Sequence, residues 1–581
     1  MAAPLGKDTM ASWRGSPSPA RNKDNQRGRM TTQDLTAADT VIAYHEATKH
    51  HFDRFARSLG YLDWANQPDP FRRYPGAPEH PLPLARDDSS PPYEALHGPP
   101  GAAPSQPVNV TMLGLFFEHS LAISAWKAYR DAQWALRCNP SSGNLHPTEG
   151  YIICGPAAGL HEGPALYHYA PREHVLERRA DWAERDWARF AGVFPPETFF
   201  VGLGSVYWRE AWKYGERAFR YCQHDVGHAL AALAFAAAML GWRFVGLDGL
   251  SSGTVGAVLG LDRSADFHPE EREHPEILAA VCPVDAGAAP RTPPDLAAAA
   301  VSAEWHGAAN QLSAEHVDWM VIGAVHEATE KPATDVPPVE WKRGAGEESE
   351  GAAVASATAR RIILQRRSAV AMDGETAMPR DVFYRMLSRV MPRPDRAPWL
   401  ALSGPARVHL ALFVHRVTDL APGLYCLVRG DGAETALRGA MHGHFAWETP
   451  PGCPPELPLF LLLEGPCDTA AAEVSLHQDI AGDGAFSAGM LAAFEGPIGD
   501  DGPWAYRRLF WEAGVIGQVL YLEAEAAGLR ATGIGAYFDD AVHALLGLRD
   551  KAFQSLYHFT VGGPVDDPRL TTLPPYPQRG A

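Results

Sequence analysis

The chain has 581 residues, 46% of them hydrophobic and 21% charged. Those fractions are globular, which excludes wholesale disorder and fibrous order, and the length suits two large domains or three to four of roughly 150 residues. Lys and Arg number 51 against 69 Asp and Glu, a net charge of −18 that repels phosphate backbones and argues against nucleic acid as a partner. Seven scattered cysteines, none in a C-x-x-C pair, indicate reduced thiols of a cytoplasmic protein rather than a disulfide framework or a zinc cluster.

Residues 1–35 read as a flexible basic tail. The first thirty carry six Lys/Arg against two Asp, with Ser, Pro and Gly between and no apolar h-region. A start placed too early, with Met30 as the next Met, would look the same. The densest polar segment is Arg137-Cys-Asn-Pro-Ser-Ser-Gly-Asn-Leu-His-Pro-Thr-Glu149, in which Pro140 and Pro147 bracket a turn, Gly143 permits positive φ, and Ser141, Ser142 and Asn144 supply hydrogen bonds. Such a loop suits a flat ligand edged with heteroatoms; an ordinary polar turn ahead of a strand at Gly150–Cys154 has the same composition. Further on, Lys213 and Tyr214 stand side by side ahead of a long helix. Together they can act as base and proton-relay partner if burial lowers the lysine pKa, or serve as ordinary surface residues.

The longest apolar run, Ala229 to Trp242, is 14 residues, shorter than the roughly 20 that span a bilayer, so no membrane partner is expected. Two imidazoles at His224 and His228 share a helical face as in a zincin, but the catalytic Glu is replaced by Asp and a third ligand is missing, so no metal is assigned. His45, His50 and His51 read as a polar helix face. The stretch 291–354 is a linker with one helical segment from Leu312 to Thr329, packing through Val317, Met320, Val321 and Val325. Arg366-Arg367-Ser368, read as lying near a helix start, offers two guanidiniums and a hydroxyl to a phosphate. Gly533 and Gly535 allow close backbone approach to a ring or phosphate, a weak sign alone.

The chain also repeats itself. Gly227, Gly241, Arg243 and Gly246 recur 287 positions later as Gly514, Gly528, Arg530 and Gly533, and Ala257, Leu259, Gly260 and Leu261 recur as Ala544, Leu546, Gly547 and Leu548. Two related domains follow, 36–290 and 355–575, and a duplicated domain on one chain is often a fused homodimer whose copies are free to diverge.

Together, Tyr44–His50, Leu62–Pro68, Arg137–Glu149, Lys213–Tyr221 and Arg366–Ser368 resemble the FMN-dependent nitroreductase superfamily of the SagB/ThcOx type, which includes azoline dehydrogenases of ribosomal-peptide biosynthesis. The resemblance covers both domains, and the segment Asn139–Glu149 is its most specific part. It implies an α+β fold of tandem nitroreductase-like domains, each a mixed sheet flanked by helices, packed as an internal pseudo-dimer. It also implies one FMN per chain. Arg366, Arg367 and Ser368 would hold the phosphate; Pro140, Ser141, Ser142, Gly143 and Asn144 would lie along the ring, with Gly533 and Gly535 against it from the second domain. Each copy lacks what the other keeps: Pro107-Val-Asn-Val110 stands where the first domain's clamp would be, and Pro398-Trp-Leu-Ala-Leu-Ser403 where the second domain's loop would be. Lys213 and Tyr214 match the catalytic pair of azoline dehydrogenases, which implies hydride transfer to flavin N5 from an azoline or similar peptide-derived substrate, alongside a cyclodehydratase. The alternatives are an NAD(P)H-dependent nitro or quinone reductase acting on small molecules, and a non-catalytic flavin-binding module.

Overall fold

The structure is a computed structural model that describes residues 35–284, 303–336, 357–393 and 395–579. The basic tail up to residue 34 and the linker stretches 285–302 and 337–356 lie outside the described residues. The fold is α+β, with two large sheets flanked by helices. The first is built on β1 (Thr148–Cys154), β2 (Ala165–Ala170), β3 (Val175–Asp181), β4 (Phe199–Ser205), β5 (Trp242–Gly246) and β6 (His274–Pro283). The second holds β7 (Val408–Val414), β8 (Gly423–Leu427), β9 (Leu459–Glu464), β10 (Phe486–Ala493), β11 (Arg530–Ile534) and β12 (Phe553–Gly562). Their orders, β3-β2-β1-β4-β6-β5 and β9-β8-β7-β10-β12-β11, are the same path traced twice.

Every pairing along both paths is antiparallel, which corrects the expected mixed sheet. The reason is in the connections: a long helix carries the chain from β4 to the edge strand β5, and β6 then returns between them, antiparallel to both. Strand side chains alternate between two cores. Phe199, Val201 and Leu203 of β4 face the main core with the long helices, while Phe200 faces a smaller one with Ile153 and Leu278. A third, small sheet joins the two halves, since Thr571–Leu573 pairs with Ile123–Tyr129 of the first.

The helices that matter here are α1 (Ala37–Ala47), α2 (Tyr207–Tyr214), α3 (Ala218–Met239), α4 (Met320–Ala328), α5 (Ala359–Gln365) and α6 (Ala505–Ala526). Helix α1 starts at a reciprocal cap between Thr36 and Asp39. His45 on it is fully buried between Arg220 and Tyr506, and His50 and His51 lie beyond its end, so the expected polar histidine face does not form. Helix α4 begins at Met320 rather than Leu312 and packs through Ile322, Val325 and His326; Val317 and Met320, expected against a domain, are exposed. No described helix is long and apolar enough to cross a membrane.

Helices α3 and α6 are each 22 residues long with all but one residue buried, as an apolar sequence on every side requires. They cross at Gly227 and Gly514. A Cβ on Gly227 would overlap the Trp511 carbonyl, and a Cβ on Gly514 would overlap the carbonyl of His224. Residues 224 and 511, like 227 and 514, are one repeat apart, so the contact is reciprocal. Each helix also sends an arginine to a carboxylate of the opposite half: Arg220 to Asp539 at 2.8 Å and Arg507 to Glu276 at 3.1 Å.

Candidate active site

The loop after strand Ala132–Arg137 is tightly bent. Gly143 has φ 60°, and Asn144 and His146 share the left-handed region at 61° and 53°, where a residue with a side chain needs support. The loop's polar side chains supply that support. The Ser142 amide donates to both carboxylate oxygens of Asp225 at 3.0 and 3.2 Å, its hydroxyl donates to the same carboxylate, and Ser141 Oγ accepts from the His146 amide at 2.8 Å. Asn144 Nδ2 donates to the Ala135 carbonyl at 2.9 Å. Ser141, Ser142 and Asn144 thus turn inward to hold the bend, and half-buried Gly143 is the part left facing outward.

That glycine meets the expected lysine–tyrosine pair. A Cβ on Gly143 would lie 2.6 Å from the Tyr214 hydroxyl and 3.1 Å from Lys213 Nζ. Helix α2 ends directly after them at Gly215 (φ 55°, ψ −131°), a conformation suited to glycine, with the Arg57–Ser58 backbone packed against it. The Tyr214 ring lies 4.5 Å from that of Tyr221, which covers Gly535 of the second half. Burial lowers the Lys213 pKa, with Glu210 partly opposing it. Burial raises Glu210 well above the usual carboxyl range and brings Asp225 up to about 7 in spite of its bonds to Ser141 and Ser142.

Arg366-Arg367-Ser368 follows the last residue of α5, so these residues sit at a helix end and not at a helix start. A helix C-terminus repels an anion, which leaves any grip on phosphate to the guanidiniums. Arg366 is buried, bonds the Arg137 carbonyl at 2.8 Å just ahead of the Ser-Ser-Gly-Asn loop, and leaves its Nε without a partner. Arg367 donates to the Ser124 hydroxyl and to carbonyls of Ser124, Leu364 and Arg366. Among the described residues neither has a carboxylate within ion-pair distance; burial lowers both pKa values, and Arg366 beside it helps bring Arg367 down to about 10. Buried Glu525 acts on both from beyond ion-pair distance and pairs with Arg530, so the two neighbouring cations have no carboxylate in contact and their donor set fits a phosphate. Tyr521 fixes this seat to the glycine strand: its hydroxyl is 2.9 Å from Ser368 Oγ and accepts from the Gly533 amide at 2.9 Å. Gly533 lies under the Tyr557 hydroxyl, which is 3.1 Å from His228 Nε2, and His224 stacks on the Tyr557 ring. Both histidines are thus engaged with the second half.

One repeat away the same positions are built differently. Gly246, matching Gly533, is covered by the Ala401 carbonyl. Asp248 stands where Gly535 would be and forms an ion pair with Arg508, the counterpart of Tyr221, which also bonds Ser403 Oγ at 3.1 Å. Sequence reasoning missed Glu210, Asp225, Tyr521 and Tyr557. Two of them carried a signal, since a carboxylate within a buried helix needs a reason, and Glu210 and Asp225 are both such carboxylates.

Residues 460–563 match the model of the Nitroreductase family. Over 109 residues, 18% of this chain, the sequence is 28% identical to a nitroreductase-type protein of Methanocaldococcus jannaschii, and the chain spans about half (52%) of the length of that curated relative. The crystal structure of a nitroreductase-type protein from Anabaena variabilis overlays with TM-score 0.62 and 19% identity, covering 90% of this chain and 99% of that one; identity at that level speaks to fold alone. A chain of the E. coli microcin synthetase McbBCD complex overlays with TM-score 0.25 and 12% identity over 48% of this chain and 83% of that one, too low to argue from. The family match is thus carried by residues 460–563, and the likeness over the whole chain is one of fold.

Proposed function

We propose that this chain is an FMN-dependent oxidoreductase that holds one flavin between two nitroreductase-like domains, 36–290 and 355–575, packed as an internal pseudo-dimer. Arg366, Arg367 and Ser368 hold the phosphate, the Pro140–Asn144 loop lies along the ring with Gly143 outermost, and the strand of Gly533 and Gly535 backs it from the second domain through the Tyr557 and Tyr221 side chains that cover those glycines. The observation that carries this reading is the pair of guanidiniums, Arg366 buried and Arg367 half-buried, with no carboxylate within ion-pair distance among the described residues, tied through Tyr521 to the glycine strand and through the Arg137 carbonyl to the loop. The ion pair of Asp248 with Arg508 at the counterpart position supports a single flavin per chain. Bound FMN supplies hydride transfer at N5. The chain's own residues position the substrate and move the proton: Lys213 Nζ, kept toward its neutral form by burial, trades a proton with the substrate, and the Tyr214 hydroxyl beside it orients that exchange.

Two directions of reaction fit. The names of the relatives speak of nitroreductases and so lean toward the reductase reading, an NAD(P)H-dependent enzyme of nitro or quinone compounds being its expected form. The placement of Lys213 and Tyr214 against Gly143 favours dehydrogenation of an azoline or similar peptide-derived ring alongside a cyclodehydratase, because a carbon-bound proton needs such a base. Absorbance and flavin quantitation of the purified chain test the cofactor, with one FMN per polypeptide expected. NADPH under anaerobic conditions then separates the directions: rapid bleaching marks a reductase, and bleaching only by an azoline peptide marks a dehydrogenase. A colourless protein that FMN does not reconstitute would overturn the proposal.

A further inference from the structure

The turn that carries Gly143 is held from outside by one side chain. Among the described residues, Ser141 and Asn144 bond only within the loop and to the strand that leads into it, through the His146 amide and ring and the Ala135 carbonyl. Ser142 instead reaches out to Asp225 on α3, with both its amide and its hydroxyl. That carboxylate is buried and has no cation within ion-pair distance among the described residues, Arg137 acting on it only from farther off. Were Ser142 to move away, a carboxylate in low dielectric would lose its donors, so the bond pins the turn firmly.

One repeat later the same device is built with a difference. Glu512 stands 287 positions after Asp225, on α6, and it too accepts a backbone amide from the stretch leading into the matching strand, that of Arg407 just ahead of β7, at 2.9 Å. Glu512, however, is also paired with the guanidinium of buried Arg429. Each long helix thus pins the loop of its own half by a carboxylate. Only Asp225 is left to the loop alone, and only its loop meets a lysine and a tyrosine, those at 213 and 214.

We propose that Asp225 is a positioning residue: by holding Ser142 it fixes Gly143 against Lys213 and Tyr214 and sets the face that the flavin ring meets. This rests on the reading of the loop as the ring's support. Asp225 acts through the loop and not on the ring itself.

The test titrates the purified full-length chain, freed of flavin, with FMN and with riboflavin, which lacks the phosphate and so reads the hold on the ring alone. Asp225→Ala should weaken riboflavin about tenfold to a hundredfold, the weight of a bond to a charged acceptor, and FMN by the same factor. Asp225→Asn, which keeps an acceptor of the same shape, should recover much of the loss, and Glu512→Gln should leave riboflavin affinity at the wild-type value. Riboflavin affinity left unchanged by Asp225→Ala, or lowered equally by Glu512→Gln, would overturn the proposal. Should Asp225→Ala fail to fold, Ser142→Ala removes the hydroxyl's bond from the loop side; a several-fold loss of riboflavin affinity then supports the proposal and no loss overturns it. If the wild-type chain binds neither flavin, the cofactor reading falls. Amide hydrogen exchange over residues 141–146 then decides the anchor, faster exchange in Asp225→Ala sustaining it and equal exchange overturning it.

Discussion

The two ends of the α3–α6 crossing occupy matching places in the repeat and are built in opposite ways. At one end Gly533 and Gly535 let Tyr557 and Tyr221 lie directly on the backbone, and two arginines have no carboxylate within ion-pair distance among the described residues. At the other, an aspartate replaces the second glycine and an arginine replaces the tyrosine, and the two neutralise each other across the gap. An anion seat is made by withholding a partner; it is closed by supplying one. The frame, with its shared strand order and reciprocal glycine contact, is common to both ends, so the difference rests on a few side chains.

The comparison breaks first at the phosphate. Replacing Arg366 and Arg367 together by Ala removes both charges, and loss of a desolvated charged partner costs about 2–5 kcal/mol, a drop in FMN affinity of about thirtyfold or more. Flavin content after dialysis should fall toward zero, whereas Arg508→Ala at the closed end should leave it at one per chain. If both variants stay yellow, the ends are not divided as described. Next, Lys213→Ala should lower turnover by roughly 10²–10⁴-fold with FMN still bound, while exposed Asp500, its counterpart one repeat later, should tolerate Ala without change in rate.

The two crossing ion pairs should answer acid in opposite senses. Burial alone would raise Asp539, but Arg217 and Arg220 hold it far below the usual range, so its contribution is present above the unfolded value near 4 and is lost as pH falls below it. Burial wins at Glu276 in spite of Arg507, leaving its pKa raised; its contribution is fullest at acid pH and declines as pH rises through that value. Asp539→Asn should therefore cost about 3–5 kcal/mol near neutral pH and flatten the acid limb of the melting curve, and Glu276→Gln should cost less there. Thermal melts from pH 3 to 8 read both. The smallest effect is at the crossing itself, where Gly227→Ala and Gly514→Ala should each cost about 1–3 kcal/mol by overpacking. Equal falls in melting temperature sharpen the twofold relation, and unequal ones break it.

Much of the frame was legible in the sequence because the repeat fixes it. Glycines 287 residues apart located both long helices and their stops, and the left-handed turn at Gly143 followed from composition. The meeting of Gly143 with Lys213 and Tyr214 was expected only through family resemblance, since it depends on distant segments folding together. The sequence said nothing of direction: Ser141, Ser142 and Asn144, expected along a ring, also hold a strained bend through their side chains. Nor did it tell which strands run antiparallel, because apolar runs covered on both faces look alike in either sense. His45 misled for a related reason: a polar residue on a short helix reads as solvated until an arginine from another element is seen to bury it.

The reciprocal glycine contact has a consequence for biogenesis. Helix α3 is buried on all sides; its own half covers one side, and the rest of its cover comes from α6, a full repeat later along the chain. At translation speeds of about 5–20 residues per second, the N-terminal half spends roughly 15 to 60 s on the ribosome with that stripe bare. A nascent chain in this state is a natural client for holdase chaperones, and a pause or frameshift between the halves would yield a sticky fragment rather than a smaller working protein.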